Sequence, residues 1–156
     1  MNYELSIIEG DKDKPAVIFV HGLGMDKGVW EKPDDTKILG GRFPIQLLLH
    51  DDADINISVE KGSKIFFGRH SGSLSTLYHD LSKRGYTVIT WSQKRPSAAI
   101  DVAVSELVEI IGLTKRLLGY GMIIIGHSRG GLIGRKYLKS GGKMPRCLIT
   151  LATPHK

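Results

Sequence analysis

The chain has 156 residues, with 22 Lys plus Arg against 16 Asp plus Glu, 24% charged residues and 41% hydrophobic residues. That is the size of one domain and the make-up of an ordinary globular protein, and it excludes collagen-like, coiled-coil and disordered classes. No run reaches the ~18 apolar residues a membrane helix needs, the N-terminus lacks a secretory pattern, and the single cysteine, Cys147, excludes an internal disulfide or a four-cysteine metal site, so a cytoplasmic location is expected.

The net charge is +6, and its placement is uneven. Residues 129–156 carry seven bases (Arg129, Arg135, Lys136, Lys139, Lys143, Arg146 and Lys156) and no acid, which leaves 15 bases against 16 acids upstream. A basic segment suggests an anionic partner. Interleaved aromatics and RNA-binding signatures are missing from it, so a nucleic-acid partner is not expected.

The first element is a short strand within Tyr3–Ile8. The second is Ala16–Val20, a continuous apolar run after Pro15 that reads as a strand buried on both faces. It runs into the turn His21-Gly22-Leu23-Gly24. Residues 31–72, a 42-residue stretch rich in Asp, Gly and Lys, fit the alternation poorly. They are expected to form an insertion or lid-like segment within one domain spanning 1–156. Two short strands, Ile55–Val59 and Lys64–Phe67, are expected inside it.

Alternation resumes with a helix whose apolar face is Leu74, Leu77, Tyr78 and Leu81, capped by Ser73 and ended at Gly85. Tyr86–Trp91 reads as a strand. A long helix follows from about Ala98 to Leu118, with Ile100, Val104, Leu107, Val108 and Ile111 on its apolar face. Met122–Ile125 is a third buried strand, a helix covers roughly Arg129–Lys139, and Arg146–Ala152 is the last strand, in which Cys147 reads as a small core residue. Strands alternating with helices predict an α/β fold with a mainly parallel sheet and helices on both faces.

Gly126-His127-Ser128-Arg129-Gly130 is the strongest chemical signal. It follows an apolar strand and opens a helix, which is the setting of a nucleophile elbow. Ser128 would sit on the sharp turn in a strained backbone, with Gly126 and Gly130 needed where side chains would collide. His127, one place earlier, is expected to point into the fold. The His21–Gly24 turn lies after an earlier strand, where a second oxyanion donor belongs. The N–H groups of Leu23 and Arg129 are the expected donors, supported by His21, Gly22 and Gly24.

Together V-H-G-L-G, G-H-S-R-G-G and the later T-L-A-T-P-H resemble lipases and esterases of the α/β-hydrolase superfamily, in particular bacterial triacylglycerol-lipase and deacylase-like members. The resemblance covers about residues 14–30 and 74–156. It implies a carboxylic ester hydrolase with Ser128 as acyl-enzyme nucleophile, an acyl ester or lipid substrate, and neither metal nor organic cofactor. It makes His155 a motif histidine that is not the catalytic base.

In that fold the acid and then the base follow the nucleophile in the chain. Here no carboxylate follows Ser128, and the only later histidine is His155. The expectation is therefore an incomplete fold, the N-terminal half of a hydrolase, with self-association through an exposed sheet edge. A natural short relative is the alternative, and a non-catalytic binding or assembly module that keeps the elbow as structure is the competing function. Asp52-Ala53-Asp54-Ile55-Asn56 lacks the glycine and glutamate of a calcium loop and reads as a solvated turn.

Overall fold

A computed structural model describes residues 3–32 and 74–154. The insertion expected at 31–72 lies outside them apart from Glu31 and Lys32, as do its two strands, Ser73 and His155.

Among the described residues five strands form one sheet: β1 (Leu5–Ile8), β2 (Ala16–Val20), β3 (Val88–Trp91), β4 (Met122–His127) and β5 (Cys147–Leu151), in the spatial order β1-β3-β2-β4-β5. Only β1 runs antiparallel; it pairs with β3, placing Leu5 opposite Trp91. The parallel pairs set Val17 opposite Val88, Phe19 opposite Ile125 and Ile125 opposite Ile149. Among the described residues four helices accompany them: α1 (Gly28–Glu31), α2 (Leu74–Lys83), α3 (Ile100–Leu113) and α4 (Arg129–Lys139). The single turn α1 is absent from the sequence reading. A 3-10 turn, Lys115–Leu117, carries α3 toward β4.

The sheet is covered on both faces. Side chains alternate along a strand, so Ala16, Ile18 and Val20 of β2 join Leu107, Ile110, Ile133 and Tyr137 in one cluster, against α3 and α4. Val17 and Phe19 face the other way, toward Val29, Trp30 and Tyr78 of α1 and α2. Phe19 meets Trp30 and Tyr78 at centroid distances of 4.8 and 5.3 Å. This two-sided burial explains why β2 is apolar without alternation. The chain leaves α2 as expected: the Gly85 N–H donates to Ser82 and the Tyr86 N–H to Leu81, with Gly85 at φ +81°.

Two expectations need correction. Val108 is exposed, while Ala103, Ile110 and even Glu106 are buried on the inner face of α3. The inner stripe is rotated from the predicted one: Ala103, Val104, Leu107, Ile110 and Ile111 share one cluster with residues of β2, β4 and α4. Cys147 is exposed, since β5 is a terminal strand of the sheet among the described residues. On the basic face of α4, Lys136 pairs with Asp101 of α3 at 3.2 Å. Both side chains are largely exposed, so the pair contributes little to stability.

Candidate functional site

β4 ends at His127, α4 begins at Arg129, and Ser128 alone makes the turn. Its backbone, at φ 52° and ψ −121°, lies outside the ordinary regions for an L-residue. Long-range contacts hold it there. The Ser128 N–H donates to the Leu151 carbonyl at 2.8 Å, and its own carbonyl accepts the Gly131 N–H at 3.1 Å. The approach of the neighbouring segments requires the flanking glycines. A Cβ on Gly126 would stand 2.5 Å from the Gly130 carbonyl carbon, and one on Gly130 would stand 2.9 Å from the His21 oxygen. Ser128 occupies the N-cap of α4, yet its hydroxyl makes no capping bond. Serine usually caps in that position. Here Ser128 is part-exposed between buried His127 and buried Arg129.

The second predicted loop lies against this turn. A Cβ built on Gly22 would meet Ser128 Cβ at 3.3 Å and His127 Nδ1 at 3.4 Å. His21, Gly22 and Gly24 are buried, whereas the Leu23 side chain is exposed. The loop's shape comes from two bonds: the Met25 N–H donates to Gly22 and the Gly24 N–H to Pro96.

His21 is wholly buried. Its Nε2 accepts the Gln93 backbone N–H at 3.0 Å, which leaves Nδ1 to carry the proton and donate to the Gly22 carbonyl at 3.0 Å. Burial drives its pKa down to about 4, so the ring is neutral near pH 7. His127 is also lowered by burial, and its ring stands edge-on to Trp30, 6.4 Å between centroids. Both histidines therefore serve the scaffold. His79 Nε2 bonds the Glu31 carbonyl at 2.9 Å. His50, His70 and His155 lie outside the described residues.

The Arg129 side chain has a part that the sequence did not reveal. Its guanidinium donates to Gln93 Oε1 at 3.0 Å, to the Pro96 carbonyl at 3.2 Å and to the Ala98 carbonyl. Burial lowers its pKa from the usual guanidinium value, and nearby Glu106 opposes that shift. Gln93 thus touches both the start of α4 and His21, and Pro96 receives both Arg129 and Gly24. The β3–α3 loop ties the two segments that carry the expected oxyanion donors. A glutamine two residues past a strand carries no sequence signal for this.

No protein-family model matches the chain, and no curated protein matches it. Solved structures do. The monoacylglycerol lipase of Paleococcus ferrophilus is 17% identical with a TM-score of 0.56, over 98% of this chain and 44% of that one. The mature lipase BlEst2 of Bacillus licheniformis is 18% identical with a TM-score of 0.52, over 97% of this chain and 47% of its own. MenH from S. aureus is 16% identical with a TM-score of 0.51, over 98% and 43%. The chain spans less than half the length of each of these structures. At such identities the likeness is one of fold.

Proposed function

The 156 residues carry part of an α/β-hydrolase fold, and we propose that this part is the nucleophile-bearing portion of a serine esterase of the lipase type. The carrying observation is Ser128 held at φ 52° on the turn between β4 and α4, with Gly22 packed beside it. Two of the matched structures are lipases, which favours acyl esters or lipids as substrates.

In the proposed reaction Ser128 Oγ attacks the ester carbonyl carbon. The carbonyl oxygen becomes an oxyanion facing the N–H groups of Leu23 and Arg129. The C–O bond to the alcohol then breaks, and the alcohol leaves with the proton that Oγ gave up. Water cleaves the acyl-enzyme and releases the carboxylic acid. A base and an acid must activate Ser128. Residues 129–156 contain no Asp or Glu, so on this reading the acid comes from elsewhere than the segment after Ser128.

A fluorophosphonate tests the reading. It should form a Ser128 adduct, located by peptide mass mapping, that is lost in Ser128→Ala. Labelling spread over several serines, or none, would count against a reactive Ser128. The second reading, a non-catalytic binding module, draws on the carboxylate-free stretch after Ser128 and predicts that negative result with the fold intact.

A further inference from the structure

T-L-A-T-P-H is the sequence motif that the proposed chemistry leaves without a task. The structure places its Thr153 directly against the elbow. Thr153 is buried, and its hydroxyl donates to the Ser128 carbonyl at 2.9 Å, with the Leu151 carbonyl 3.3 Å from the same oxygen. Leu151 in turn accepts the Ser128 N–H. Both backbone polar groups of Ser128 are therefore bound to the exit of β5, 23 and 25 residues further along the chain.

Three further observations converge on this contact. Ala152, between the two bonding residues, has φ 47°, and it and Ser128 are the only non-glycine residues with positive φ among those described. Two strained residues thus lie at one junction, each supported by the bonds of the other's segment. Gly131, in the first turn of α4, leaves the space that Thr153 fills: a Cβ there would stand 2.8 Å from Thr153 Cγ2 and closer still to its hydroxyl. Arg135, one turn further along α4, donates to the Pro154 carbonyl at 3.0 Å and holds the next residue of the motif.

We infer that Thr153 is a positioning residue: its hydroxyl locks the Ser128 carbonyl and so keeps the nucleophile in its strained, outward-facing conformation. The inference rests on the reading of Ser128 as nucleophile. A valine has nearly the same shape but no proton to donate, and it would take the side-chain donor away from the Ser128 carbonyl. Without the lock the turn can relax toward an ordinary helical start. There a serine hydroxyl would turn to cap α4 rather than face a substrate.

The test compares the 156-residue chain with Thr153→Val and Thr153→Ser. Two quantities are measured: the rate of fluorophosphonate addition at Ser128 and the hydrogen exchange of the Ser128 and Arg129 amides. In the addition, Oγ bonds phosphorus, fluoride leaves, and the hydroxyl proton passes to solvent. Thr153→Val should label about 10-fold more slowly or worse, as expected for a misplaced reacting group. It should also exchange these amides faster while keeping a cooperative melt. Thr153→Ser, which retains the hydroxyl, should restore both. If Thr153→Val does not fold, Thr153→Ala carries the same expectation. Equal labelling of Ser128 in the parent and Thr153→Val overturns the inference. If the parent itself is not labelled, Ser128 is not reactive in the 156-residue chain, and exchange alone decides the lock: unchanged Ser128 exchange in Thr153→Val refutes it, and faster exchange upholds it.

Discussion

His21 shows how burial turns a titratable group into a scaffold. Its unfolded pKa is near 6.5, and the fold lowers it to about 4. Between those values the unfolded chain holds a proton that the folded one does not, so stability rises with pH. The contribution is fully present above pH 6.5 and is lost as pH falls through the window toward 4. Going from pH 7 to pH 5 should remove about 2 kcal/mol of it. His127, lowered in the same direction, adds to the slope. Urea midpoints at the two pH values would measure this, and His21→Asn should flatten the dependence. A slope equal to that of the parent would mean that His21 is not the titrating group. The same neutral ring keeps a second cation away from the buried Arg129.

At the scale of elements, glycine placement separates two kinds of contact. Gly130, inside α4, lies against the backbone at the end of β2, where an added Cβ would meet Val20 and His21. Backbone cannot step aside as a side chain can. Gly130→Ala should therefore cost about 1–3 kcal/mol and lower the melting temperature by several degrees. Gly112, near the end of α3, has nothing within 4 Å of an added Cβ. There alanine only improves helix propensity, and Gly112→Ala should stabilise by about 0.5–1 kcal/mol. Thermal melts of the two variants should move in opposite directions. If Gly130→Ala melts with the parent, the close approach of α4 to β2 is wrong.

Among the described residues the sheet ends laterally in β5. Among the described residues this strand pairs only with β4, and Cys147 and Ile149 are exposed on it. Strand edges of this kind recruit other strands. We expect the 156-residue polypeptide to self-associate, with a mass by light scattering that grows with concentration under reducing conditions. A monodisperse monomer at high concentration would remove that expectation. No helix among the described residues is long and apolar enough to cross a membrane.

What the sequence determined by itself was local. Apolar runs and helical periodicity were sufficient for all five strands and for α2, α3 and α4, because burial on one face or two writes a period into the chain. The elbow was equally legible. A serine between glycines at a strand-to-helix turn is a short-range pattern, and so is the glycine loop after β2. Only tertiary structure decided what depends on partners far along the chain. The inner face of α3 is rotated so that Val108 is exposed and Glu106 is buried, where its carboxylate accepts the Lys94 N–H. Cys147 is exposed on β5, which among the described residues is the last strand of the sheet, and edge position is a property of the sheet rather than of the strand. Gln93, Arg129 and Thr153 acquire their tasks through hydrogen bonds to residues 25 or more positions away. No spacing rule anticipates such bonds, since they exist only once β2, β3, β4 and β5 lie side by side and bring their ends to one edge of the sheet.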